Sequence, residues 1–230
     1  MSKILADPQL LGLAIVTLLN LALGLYVFLK DFRNVLNKIF LFLAISIVAW
    51  CIAIFCTIYF YEDVFLYDLS DKFTYIAGLL IAIGFYLFSI YYGYKNHKIS
   101  SLIVIGYILF FAIFSYLALF SHLFVINTAK EGLITVIYRN QMSYAIYSLA
   151  LISLFILGLV ELWKKMKGGD GVYKQHFLTL IILVGFSIIL SIFFDLSLSA
   201  FNNYSYSAVG PLSSVLFIFA IMRMINSSKE

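Results

Sequence analysis

NLALGLYVFLKDFRNVLNKIFLFLAISIVAWC, residues 20–51, decides the fold. Two uncharged apolar runs meet there at a short connection holding Lys30, Arg33 and Lys38. Followed outward, the runs cover 9–29 and 39–60. Each is about the 20 residues a helix needs to cross the hydrocarbon core of a bilayer. The pattern recurs at 73–94, 101–120, 142–163, 177–197 and 208–226. Seven spans use most of the 230 residues, so one seven-helix membrane domain over 1–230 is expected.

Composition agrees. The chain is 64% apolar and 11% charged, with a mean hydropathy of +1.05. Soluble domains run at about half apolar and about a quarter charged. The expected fold class is an all-α integral membrane protein, a seven-transmembrane helix bundle. Its first apolar run is too long for the roughly 7–15-residue core of a cleavable leader, and it reads as a retained first helix. Cys51 and Cys56 share the second span and point well apart around it, so they cannot pair with each other.

The basic residues alternate from connection to connection. Lys3, Lys72, Lys130 and Arg139 fall on one side, and the remaining eleven Lys and Arg fall on the other. The positive-inside rule then puts the N-terminus outside and the C-terminus in the cytoplasm of a multi-pass protein in the cell's inner (plasma) membrane. The net charge of +4 is accounted for by this asymmetry and calls for no nucleic-acid partner. The longest outer connection, 121–141, holds two β-branched runs, LFVIN and LITVIY, separated by TAKEG. That is the pattern of a short outer β-hairpin, a lid over the outer mouth, with a structureless loop as the alternative.

Membrane helices pack through small residues and interhelical hydrogen bonds. Thr17, Asn20 and Gly24 share one face of the first span. Thr74, Gly78, Ala82 and Ser89 repeat the motif in the third. Asn20 reads as an interhelical hydrogen bond or as a ligand contact. Trp50, near mid-depth, reads as packing or pocket lining, with its indole N–H turned inward to an acceptor. In the sixth span Ser187, Ser191, Asp195 and Ser199 recur every four residues. Asp195 is there one of two carboxylates within the spans, the other being Glu161. Intramembrane ionisable groups usually face the bundle or water. The ridge therefore either satisfies itself on its own helix or floors a water-filled outer cavity, with His122 on the same outer side. In the last span Pro211 removes a donor to the carbonyl of Ser207 and is expected to kink the helix. Arg223 closes that helix at its cytoplasmic end.

Catalytic patterns are missing. His97, His122 and His176 have no metal-ligand spacing, and neither H-E-x-x-H, G-x-S-x-G nor a Walker loop occurs. No metal or cofactor is expected. KGGDG at 167–171 reads as a flexible turn. The last span lacks the lysine that a covalent retinal Schiff base requires.

Three patches together resemble the N-terminal seven-helix sensor region of bacterial histidine kinases. Residues 20–51, with Asn20, Gly24, Tyr26, Asn37, Phe40 and Trp50, are similar to its first two helices. DKFTYIAGLL resembles its third-helix entry, without the proline often seen there. YSAVGPLSSVLFIFAIMR, with Gly210–Pro211 and a closing Ala-Ile-x-Arg, is similar to its last helix. The resemblance implies a sensing region without catalysis that takes an extracytoplasmic or intramembrane ligand. Its last helix, through Pro211 and Arg223, drives a cytoplasmic kinase. No phosphoacceptor helix pair or ATP-binding domain is present in this stretch, so the output goes to a separate cytoplasmic kinase or to another part of the parent protein, with a homodimer as a further arrangement. The other partner is membrane lipid. Alternatives are a small-molecule transporter or permease-like bundle, and a membrane enzyme using Asp195 and His122.

Overall fold

A computed structural model describes residues 7–92, 101–121, 124–131, 134–168, 171–197 and 209–227. Seven helices lie among them: α1 (Pro8–Lys30), α2 (Val35–Tyr59), α3 (Val64–Tyr91), α4 (Ser101–Phe120), α5 (Gln141–Gly168), α6 (Gly171–Ser191) and α7 (Val209–Ser227). A π-helical turn, Ile192–Ser197, continues α6. Five of the helices are long and apolar enough to cross a membrane, namely α1, α2, α3, α5 and α6. In α4 and α7 the described apolar stretches are shorter, Leu109–Phe120 and Val209–Met222.

Local chemistry sets the starts. The Asp7 carboxylate accepts from Gln9 N at 2.9 Å, with Pro8 in the first turn where a missing N–H costs nothing. Asn34 caps α2 by accepting from Leu36 N at 2.8 Å. Asp63 caps α3 by accepting from Leu66 N at 3.0 Å. The Asp63 cap starts α3 nine residues before the apolar run at 73–94, so Asp68, Asp71 and Lys72 belong to the helix. Asn37 donates to Val27 O at 2.9 Å and to Asp31 O at 3.0 Å, fastening the α1–α2 turn.

The helices form a closed ring in the order α1–α2–α3–α5–α6–α7, and α4 packs on α3. Between helices in lipid there is no hydrophobic driving force, so close packing and polar contacts must hold the ring. Phe85 and Phe88 of α3 are completely buried within it. The backbones come close at two glycines. A Cβ at Gly24 of α1 would stand 2.6 Å from Ala44 Cβ of α2. One at Gly158 of α5 would stand 2.7 Å from the Phe85 ring. Large apolar side chains such as Leu18, Ile113, Leu149 and Ile189 point outward, the surface a lipid-facing bundle needs.

Two strands of the 121–141 connection pair with each other. β1 (Val125–Glu131) pairs antiparallel with β2 (Ile134–Arg139), with an irregularity between Val125 and Asn127. It rests on α3, where Thr128 Oγ1 donates to Asp68 Oδ1 at 2.9 Å and Lys72 holds the same carboxylate at 2.7 Å. α5 follows at once: Asn140 N donates to Phe124 O at 2.9 Å, and the Asn140 side chain accepts from Ser143 N at 3.3 Å.

α7 is described from Val209, and Pro211 stands in its first described turn. The kink expected at Pro211 turns on the carbonyl of Ser207, which lies outside the described residues. Residues 169 and 170 of KGGDG, like His97, are also outside them.

Candidate functional site

A cavity of about 150 Å³ lies inside the ring, between α2, α3, α5, α6 and α7. Its walls are chiefly aromatic and aliphatic, from Trp50 and Ile54 on α2 to Tyr147 and Phe155 on α5 and Phe217 on α7. Besides Thr57 and Thr74, two polar clusters border it.

The first is an ion pair. Arg139 Nη2 lies 2.9 Å from Asp71 Oδ1, and both side chains are 6% exposed. Arg139 Nε donates to the Tyr75 hydroxyl at 2.6 Å. The Arg139 guanidinium also lies 5.6 Å from the centre of the Tyr144 ring, within cation–π range. The fold places these groups with economy. Asp71 and Tyr75 are one turn apart on α3. Arg139 is the last residue of β2, directly before the Asn140 cap of α5. Tyr75 is held from three sides: its ring stacks on Phe124 at 5.5 Å, and it meets Tyr144 and Tyr147 edge-on at 6.0 and 5.3 Å. The Tyr147 hydroxyl donates to Tyr75 O at 3.1 Å. The other oxygen of the carboxylate, Asp71 Oδ2, is buried without a hydrogen-bond partner among the described residues.

The second is a serine cluster between α6 and α7. Ser187 Oγ donates to Ser213 O at 2.8 Å, and Ser191 Oγ lies 3.2 Å from Ser213 Oγ. Ser213 Oγ in turn donates to Gly210 O at 2.7 Å. Ser187 and Ser191 border the cavity, yet their hydroxyls are used to join two helices. Ser214 also borders it and accepts from Asn20 Nδ2 at 2.8 Å, so Asn20 sits behind Ser214 as an α1–α7 hydrogen bond.

The remaining candidates fall as follows. Trp50 lines the cavity. Asp195 lies in the π-helical turn. His122 and Ser199 are outside the described residues. Arg223 is in α7, four residues before its end. A further carboxylate, Asp71, lies before the apolar run at 73–94 but within α3, and it borders the cavity. The signal for Asp71 was present: Asp71, Thr74, Gly78 and Ala82 continue one helical stripe, and Asp63 is a cap eight residues upstream. No sequence pattern tied Arg139 to it. Among the described residues, no group of three His, Cys, Asp or Glu could hold a metal.

The family model for the N-terminal 7TM region of histidine kinase matches residues 12–224. The chain belongs to this family. The match runs from α1 into the last turns of α7 and so takes in every helix and the hairpin. With five apolar helices of spanning length, this histidine kinase sensor region is a multi-pass membrane protein. No curated protein matches the chain.

Proposed function

We propose that residues 1–230 form one signal-sensing membrane domain that binds a small ligand in the central cavity and passes the result through α7 to a cytoplasmic kinase module. The buried Asp71–Arg139 pair at the cavity carries this reading, because a charged pair kept out of water in the wall of a cavity is a functional-site candidate. The pair also joins α3 to the hairpin, so a ligand that touches it acts on two elements at once. The serine cluster supplies the route onward: Ser187 and Ser191 border the cavity and bond to the first turns of α7.

The orientation we propose has the N-terminus outside and the hairpin on the outer face. Of the basic residues assigned to the outer side, Lys72 and Arg139 are neutralised in ion pairs with Asp68 and Asp71. The orientation rests on the eleven basic residues of the opposite side, Arg33 and Lys167 among them.

The test joins a kinase core after Glu230 in helical register and measures autophosphorylation. Inserting one residue turns the output by about 100° and should change activity severalfold. Activity indifferent to register, together with ligand-independent signalling in Asp71→Asn, would remove the output role.

A further inference from the structure

The geometry points to a ligand of one chemical class: an uncharged single-ring aromatic that carries one O–H or N–H donor. The inference rests on the cavity being the sensing site. Size comes first. A cavity of about 150 Å³ in an apolar interior holds one benzene-sized ring. Trp50, Tyr147, Phe155 and Phe217 line it, and aromatic rings favour offset or edge-on contact with another ring. Gly78 also borders it, and a Cβ there would already meet the Tyr147 hydroxyl at 2.7 Å, so the space is limited on that side.

Charge comes second. Asp71 and Arg139 cancel, and they are the only acidic and basic residues among the described ones that line the cavity. A cationic or anionic guest would leave one net charge in an apolar interior, which is costly. A neutral guest leaves the pair intact.

Hydrogen bonding comes third. Asp71 Oδ1 is taken by Arg139 and the Tyr75 hydroxyl stands by the same carboxylate, while Asp71 Oδ2 is buried with no hydrogen-bond partner among the described residues. A buried acceptor in that state favours a guest that donates, and a bond to a carboxylate is of the stronger, charge-assisted kind. One donor on one ring fits both features.

The experiment uses the whole chain in lipid nanodiscs with Trp163→Phe, which leaves Trp50 as the single tryptophan of the two. Trp50 emission is titrated with phenol, with toluene as a ring of like size without a donor, and with benzoate and benzylammonium as charged rings. Ile81→Phe, which fills the cavity wall, gives the baseline for partition into lipid. Phenol should give a saturable change that Ile81→Phe abolishes. Toluene should bind roughly tenfold more weakly, the usual weight of one such hydrogen bond, and the charged rings should not saturate. Asp71→Asn should shrink the phenol preference severalfold. Equal binding of phenol and toluene to the native chain overturns the donor assignment, whether or not Asp71→Asn folds. No saturable change with any ring overturns the ligand class while leaving the register experiment on the kinase fusion untouched. Saturable phenol binding beside a register-indifferent fusion would instead sink the output role and keep the ligand class.

Discussion

Arg139 Nη2 stands 2.9 Å from Asp71 Oδ1 across 68 residues of sequence, and neither side chain is more than 6% exposed. A buried pair of this kind is costly to break and cheap to replace. Removing one partner strands the other charge, at about 3–5 kcal/mol, whereas an apolar pair of similar volume is often neutral. Asp71→Leu should therefore lower stability by about 3 kcal/mol in unfolding by a denaturing detergent. Asp71→Leu with Arg139→Met should recover at least half of the loss. Equal losses in the single and double variants would show that the pair is not what the site depends on.

The glycines separate close contact from open space. At Gly158 a Cβ would meet Phe85 at 2.7 and 2.9 Å and Ser89 Oγ at 3.1 Å, and Phe85 is fully buried with no room to yield. At Gly185 of α6 it would meet nothing within 4 Å. Gly158→Ala is expected to cost about 1–3 kcal/mol through overpacking. Gly185→Ala is expected to gain up to about 1 kcal/mol from helix propensity alone. The same unfolding titration measures both, and a loss at position 185 as large as that at 158 would refute the packing assignment.

The orientation can be checked by labelling. With Cys51 and Cys56 replaced, single cysteines at Phe65 and Lys130 should react with a membrane-impermeant reagent applied outside intact cells. Cysteines at His97 and Gly168 should react only after the cells are opened. Phe65 is 70% exposed at the start of α3, so lack of reaction there would reflect sidedness and not burial. Labelling at 130 from the cytoplasm alone would reverse the topology.

How much of this could be read before the fold was seen follows from the range of each interaction. Hydropathy and loop charge are local, so the seven apolar runs, the hairpin runs around TAKEG and the family resemblance all came from short patches. The small-residue faces were readable for the same reason: Gly24 and Asn20 recur at helical spacing, and both prove buried between helices. The site was harder. Asp71 and Arg139 each lie at the edge of an apolar run, where charge ordinarily means a solvated loop. Only the Asp63 cap draws Asp71 into α3, and only the hairpin, returning over that helix, brings Arg139 to it. The serine ridge was visible, but its partner Ser213 was not, because a hydroxyl's partner on another helix is set by packing.

A last pair of neighbours tests how the other end of the bundle is held. Lys165 Nζ donates to Ser89 O and Ile90 O, each at 2.6 Å, and to Tyr92 O, capping the end of α3 from α5. Those carbonyls are among the last four of the helix, which have no partner within it, and a cation there also suits the helix dipole. Lys164, one residue earlier, makes an i,i+3 pair with Glu161 at 2.7 Å and is 65% exposed. Exposed pairs of that kind contribute between zero and about 1 kcal/mol. Lys165→Met is therefore expected to cost about 1–3 kcal/mol, the penalty for leaving buried carbonyls without donors. It should also speed hydrogen exchange of the amides from Phe88 to Tyr92. Lys164→Met should change stability by no more than about 0.5 kcal/mol and leave those amides as they were. If the two variants behave alike, Lys165 is only one more positive charge at a membrane surface, and the α3–α5 clasp does not exist in the bilayer.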